Sequence, residues 1–276
     1  MDGADVQRQV LTANDLFEDN KSTSELKEII ADVNCADSAV LKRRLVLEDD
    51  FHSGDTTEIL VIPFSSNNKE LRSDAFSNIT NRFILVNPSY IKEFTAKYTL
   101  NDTISFRPVI ELMLLHEVGH FILGKEGAFD QLGSVSRKTG QQKSNSQPEY
   151  ITSLKKIELS ADSLAIDIVK RSLKPNNKKC LDIAFDVERV VPGMQFQLSG
   201  RRMIDNFGSR EIGFLHDPSS DHPNLELRVT FMNYFLFPSD SLKQIIDDYI
   251  YNRTVAPVHR QEFDPQIFQG KEKTIK

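Results

Sequence analysis

The sequence predicts an α+β fold, with a small N-terminal β-sheet and a mainly helical C-terminal half. Two runs rich in β-branched and aromatic residues, TEILVIPF at 57–64 and RFILVNP at 82–88, are bounded by turn-forming residues and predict strands. From Ser105 onward the apolar residues follow helical spacing instead. A chain of 276 residues with 39% hydrophobic residues can bury one sizeable core, so we expect a single domain over 1–276.

The N-terminal segment, 1–50, is expected to form a helical extension ahead of the sheet. Its clearest part is SELKEIIADV at 24–33, a short amphipathic stretch. The second predicted strand ends at Asn87 and Pro88, since proline cannot donate to a sheet ladder. A short helix is expected over 89–98.

Two long helices dominate the second half. The first covers 105–124, with Pro108 in its first turn, and its apolar side chains occupy nearly every angular sector, so it should run through the core. A polar, turn-rich loop at 125–148 leads to the second, from about 148 to 173, which ends before Pro175. Shorter helices are expected at roughly 180–191, 223–236 and 240–252, followed by a loosely packed tail at 255–276.

Composition and charge narrow the classes of partner. The 27% of charged residues is an ordinary globular value, which excludes wholesale disorder. The formal net charge of −6 and the lack of long basic clusters argue against nucleic acid as a partner. The oligomeric state is left open by the sequence.

Cysteines and hydropathy bear on the compartment. Cys35 and Cys180 are too few for a disulfide framework and form no CxxC pair, so we expect buried free thiols in a reducing compartment. The acidic N-terminus lacks the pattern of a signal peptide, and no apolar run reaches the length of a membrane helix. We therefore expect a cytoplasmic protein without membrane insertion.

The pattern H-E-x-x-H occurs as HEVGH, from His116 to His120, within the first long helix. Side chains four residues apart share a helix face, so both imidazoles can reach one metal ion, and neutral imidazole suits zinc. Glu117 is placed to accept a proton from a metal-bound water. The alternative, a pair of hydrogen-bonded core histidines, explains neither the spacing nor the buried glutamate.

A catalytic zinc site needs a third protein ligand. Glu158 and Asp162 lie four residues apart on the second long helix, within the sequence ELSAD. We expect Glu158 to be the third ligand and Asp162 to accept the N–H of a ligating histidine. Ala161 and Ala165 are small enough to let this helix approach the first. The rival carboxylates are those of Glu111, Glu126 and Asp130.

HEVGH followed by ELSAD resembles the gluzincin metallopeptidases, in particular the M48 type with its motifs H-E-x-x-H and E-x-x-A-D. A third element, SSDHPNLELRV at 219–229, resembles the HP…R segment of that group. The three elements span about 116–228. Soluble Lit-like phage-exclusion peptidases have the same motif order, whereas the ImmA/IrrE-like group fits the third element less well.

The resemblance implies a zincin-like fold in which the helical half carries the active-site helix. It implies one zinc ion per chain and a protein or peptide substrate. It also gives His222 a role in binding the oxyanion, with His216 as a weaker candidate, and gives Arg228 a role in fixing Asp162 or another carboxylate of the site. The alternative, that the His-Pro pair only starts a helix and Arg228 is a surface charge, stays open. His52 and His259 lie in polar surroundings and are assigned no role.

These observations predict a zinc-dependent endopeptidase that acts on a narrow range of intracellular proteins, with the 125–148 loop as a lid. The alternative is a metal-stabilised regulatory or interaction protein with weak or no catalysis, against which the intact Glu117 argues. A DNA-binding regulator is disfavoured because no basic recognition helix is present.

Overall fold

The computed structural model describes residues 20–37, 42–52, 54–64, 75–98, 105–125, 153–172, 180–205, 223 and 225–251. Within these ranges the chain forms seven α-helices and one four-stranded sheet, so the α+β class with a mostly helical second half is confirmed. The helices are α1 (Asn20–Asp37), α2 (Pro88–Tyr98), α3 (Phe106–Lys125), α4 (Ser153–Ser172), α5 (Leu181–Asp205), α6 (Leu225–Leu236) and α7 (Asp240–Tyr251).

The sheet has the order β1-β2-β4-β3. Its strands are β1 (Arg44–Val46), β2 (Glu58–Pro63), β3 (Ala75–Asn78) and β4 (Phe83–Val86). β1 and β2 run parallel, as do β2 and β4, whereas β3 is antiparallel to β4 and lies at the edge. Ile59, Val61 and Ile84 are fully buried, which explains why the runs at 57–64 and 82–88 predicted β2 and β4.

β3 and β4 form a hairpin. Asn78 pairs with Phe83, and the side-chain Oδ1 of Asn78 accepts a hydrogen bond of 2.8 Å from the backbone N–H of Asn81. Arg82 closes the turn in the left-handed region, with φ of 55°. The sequence did not predict β3, since AFSN is short and half polar and gains its strand geometry from pairing with β4.

Helix α3 runs through the core as predicted. It starts at Phe106 with Pro108 in the first turn. An N–H in the first turn has no partner within the helix, so proline costs no hydrogen bond there. Leu114, Leu115 and Val118 are fully buried, each stabilising the fold by about 1.5–3 kcal/mol through burial. Helices α1, α2, α4 and α5 all pack against it.

The expectation of a helical extension over 1–50 is confirmed for 20–37, which is helical, but this segment is neither wholly helical nor an extension. β1, at 44–46, belongs to the central sheet. Helix α1 belongs to the main core, because Leu26, Ile29 and Val33 are buried in the same cluster as the sheet and α3. The amphipathic stretch beginning at residue 24 is therefore the buried face of a core helix.

The expectation of free thiols is also wrong. Cys35 on α1 and Cys180, which immediately precedes α5, form a disulfide across 145 residues of sequence. The side chains meet because α1 and α5 pack together in the fold. No residue pattern in the sequence indicates this contact.

Helix α5 continues to Asp205, beyond the predicted end near residue 191, with Pro192 inside it. Val190, Val191 and Gln197 are buried on both sides of that proline, so tertiary packing outweighs the local cost of the missing hydrogen bond. The other helix bounds agree with the predictions to within a few residues. The tail at 255–276 and the loop at 126–148 lie outside the described residues.

None of the helices in the described ranges is long and apolar enough to cross a membrane.

Candidate metal centre

The two long helices α3 and α4 bring the predicted ligands together. His116 and His120 project from α3 toward α4, and Glu158 projects from α4 toward them. Ala161 and Ala165 on α4 are fully buried, as expected for small residues at a close helix contact. The site therefore lies at the packed interface of two helices and not on a loop.

Three side chains converge on one point. Nε2 of His116 and Nε2 of His120 are 3.0 Å apart. One carboxylate oxygen of Glu158 lies 3.3 Å from His116 Nε2, and the other lies 3.5 Å from His120 Nε2. The imidazole rings are nearly perpendicular, at 84°, which lets both nitrogens face the carboxylate. This is the arrangement of a metal site with two histidines and one carboxylate.

The separations are compatible with a shared metal ion. The two histidine nitrogens are 3.0 Å apart, and each lies within 3.5 Å of a different oxygen of Glu158. One possible ligand atom from each of the three residues lies within 4.8 Å of the other two. His116, His120 and Glu158 could therefore hold a metal ion, and their donor set suits zinc among other divalent metals.

Asp162 contacts His116 at Nδ1, the ring nitrogen that faces away from Glu158. Its Oδ1 lies 2.8 Å from Nδ1 of His116, so the Nδ1–H donates to the carboxylate and Nε2 faces the ligand cluster. Arg228 from α6 donates to the same carboxylate through Nε and Nη2, at 2.9 and 2.7 Å. Its Nη2 also lies 3.0 Å from His116 Nδ1. The predicted pairing of Arg228 with Asp162 is thus present, in bidentate form.

The pKa values of the two imidazoles are shifted in opposite directions. Burial and the charge of Arg228 lower the pKa of His116, but Asp162 and Glu158 outweigh both and raise it to about 9. Burial and the charge of His116 lower the pKa of His120 to about 3, so that ring is neutral. Burial would raise the pKa of Asp162, yet Arg228 and His116 hold it at about 2.

Glu117 lies between the two histidines in sequence and is only 6% exposed. It is one residue from His116, so its side chain leaves the helix beside the ligand pair and not within it. The possible metal ligands thus have a buried carboxylate next to them on the same helix.

The structure places one of the remaining candidate residues, Glu111, away from the cluster and does not describe the others. Glu111 lies one turn and more before His116 and pairs with Arg107, away from the cluster, so it is not the third ligand. Glu126, Asp130, His216 and His222 lie outside the described residues. The sequence reasoning missed the role of Gly119, whose missing side chain allows α4 to approach α3.

Comparisons of the chain with protein-family models, with curated proteins and with solved structures found no match. The resemblance to the gluzincins stays a prediction from the three sequence motifs.

Proposed function

We propose that the protein is a zinc-dependent endopeptidase of the gluzincin type with a zincin-like fold. The observation that carries the proposal is the convergence of His116, His120 and Glu158 within 4.8 Å of one another, with Glu117 buried on the same helix as the histidines. A structural zinc site is usually closed by four protein ligands, whereas three ligands leave a position for water. Within the described residues the cluster has three members.

Zinc is the metal we propose, one per chain, because two imidazoles and one carboxylate are its usual catalytic donors. When bound, such an ion lowers the pKa of a water molecule toward neutrality and polarises a carbonyl group. Asp162 fixes the ring of His116 and increases its basicity, and Arg228 fixes Asp162.

Glu117 is the residue to which we assign proton transfer. Its carboxylate accepts the proton of the attacking water and then donates it to the nitrogen of the leaving amine. The side chain is only 6% exposed, so it lies in a largely water-excluded environment. A glutamine at this position has the same shape but cannot accept the proton.

The edge strand β3 supports a peptide as the substrate. Within the described part of the chain it pairs only with β4, and it packs against α3. An extended peptide can add to such an edge through backbone hydrogen bonds and so lie along the ligand helix. We propose a protein or peptide substrate, bound in extended form and drawn from a narrow range of intracellular proteins in the cytoplasm.

The proposal is tested by comparing wild type with Glu117→Gln. Purified protein is loaded with zinc, its metal content is measured, and cleavage of a mixed library of unstructured peptides is followed by mass spectrometry. We expect about one zinc per chain in both proteins and cleavage only by wild type. Glu48→Gln, an exposed position in the short helical turn at Glu48–Asp50, is the control that should keep full activity.

Two results would contradict the proposal. Equal cleavage by Glu117→Gln would remove this residue from proton transfer. Zinc binding without cleavage of any library peptide by wild type would favour the alternative, a metal-stabilised regulatory or interaction protein.

A further inference from the structure

The N-terminal helix α1 is attached to the rest of the fold in three ways. Its apolar face, with Leu26, Ile29 and Val33, lies in the core. The side-chain amide of Asn34 exchanges two hydrogen bonds with the backbone of Leu45 on β1, at 2.7 and 2.8 Å. The third attachment is covalent, through the disulfide to the residue that precedes α5.

Ion pairs at the junction of α1 with α3 support this attachment. Arg107 on α3 pairs with Glu28 and Asp32 on α1 and with Glu111 on its own helix. Two of the three carboxylates paired with this guanidinium are thus brought there by α1. Because the side chains of Arg107, Glu28 and Asp32 are partly exposed, these two ion pairs contribute little to the docking of the helix.

We propose that the Cys35–Cys180 disulfide is a thiol-sensitive clamp that holds α1 against the ligand helix α3. When the sulfurs are bonded, the cross-link restricts the ensemble in which α1 is detached, and a link that spans 145 residues restricts it strongly. When they are reduced, α1 is held only by its core contacts, the Asn34 hydrogen bonds and the ion pairs of Arg107. Reduction should act first on α1, because the cross-link joins this helix directly to the residue that precedes α5.

The reaction needs a thiol reductant, for which glutathione is the natural class of molecule. A glutathione thiolate attacks the sulfur of Cys35, which is partly exposed, and the electron pair of the broken S–S bond leaves with the sulfur of Cys180. A second thiolate attacks the resulting mixed disulfide and releases Cys35. The products are two cysteine thiols and one glutathione disulfide, with two electrons transferred.

Hydrogen exchange measured by mass spectrometry tests the clamp in the full chain. Oxidised protein is compared with protein that has been reduced by glutathione without denaturant and then alkylated. We expect the amides of 20–37 to exchange roughly tenfold faster or more in the reduced form, and those of 240–251 in α7, which packs against α6, to be unchanged. Cys35→Ser and Cys180→Ser should each reproduce the fast exchange and should not respond to glutathione.

Three outcomes overturn the proposal. The first is equal protection of 20–37 in both forms, since α1 would then not depend on the disulfide. The second is loss of protection throughout the chain on reduction, which would mean that the disulfide stabilises the whole fold and not α1 in particular. The third is failure of glutathione to reduce wild type under native conditions. None of these readouts requires the metal or the proposed peptidase activity, so the two proposals fail independently.

Discussion

Gly119 of α3 lies directly against the backbone of Ala161 on α4. A Cβ atom on Gly119 would be 2.8 Å from the carbonyl oxygen of Ala161 and 3.0 Å from its Cα. Real Cβ atoms do not approach backbone atoms so closely, and backbone cannot move aside as a flexible side chain can. The separation of the two ligand helices, and with it the distance from the histidines to Glu158, is set at this contact.

Gly119→Ala should therefore push α3 and α4 apart. We expect the free energy of unfolding to fall by about 1–3 kcal/mol, even though alanine is the better helix former, and metal affinity to fall with it. Chemical denaturation and a competition assay with a chelator measure the two effects. Gly54→Ala is the matched control, because a Cβ there meets nothing within 4 Å, and it should change stability by less than about 0.5 kcal/mol. Equal stability of the two variants would contradict the packing argument.

Asp162 should matter for metal affinity although it is not a ligand. In Asp162→Asn the charge that holds the Nδ1–H of His116 is lost, and the amide places a donor against Arg228. We expect zinc affinity to fall by about 10- to 100-fold. Asp167→Asn, on the same helix, is the control, since its ion pair with Arg171 is half exposed. If both variants bind zinc as wild type does, the aspartate does not orient the histidine.

The ligand cluster could be predicted because its members are local. His116 and His120 are four residues apart on one helix, as are Glu158 and Asp162 on the other, and helical geometry alone places each pair on one face. The small residues on α4 predicted that the two faces meet. The contact of Gly119 with Ala161 could not be predicted, because it depends on which backbone atoms of α4 lie opposite Gly119.

Pairing with other segments of the chain explains the elements that the sequence did not predict. β1 and β3 are three and four residues long, and each is a strand because a neighbour supplies its hydrogen bonds. The bond between Cys35 and Cys180 depends on the packing of α1 against α5. None of these features leaves a periodic or compositional mark in the sequence.

Glu111 should make stability depend on pH. Burial, and next the charge of Asp186, raise its pKa from 4.5 to about 7. Between these values the folded chain holds a proton that the unfolded chain has lost. The contribution is therefore fully present below pH 4.5, declines as the pH rises to about 7, and stays lost above it.

Glu111→Gln removes this dependence. We expect its free energy of unfolding to exceed that of wild type by roughly 1–3 kcal/mol at pH 8 and to match it near pH 4.5. Urea denaturation followed by circular dichroism at both pH values measures the difference. The exposed Glu48→Gln is the control and should show the wild-type slope. A variant slope equal to that of wild type would mean that folding does not raise the pKa of Glu111.

The amount of bound metal should depend on each of the proposed ligands and should not depend on exposed histidine or glutamate side chains. His116 and Glu158 are two of the three side chains that could hold a metal ion, so His116→Ala and Glu158→Ala should each leave only two donors, too few for stable binding. After gel filtration against a chelator we expect about one zinc per wild-type chain and almost none in either variant. His52→Ala, whose side chain is 75% exposed, and the exposed Glu93→Ala are matched controls that should keep the ion. Zinc retained by Glu158→Ala at wild-type affinity would assign the third position to another carboxylate. Loss of zinc from all four variants would trace the binding to the stability of the fold and not to these ligands.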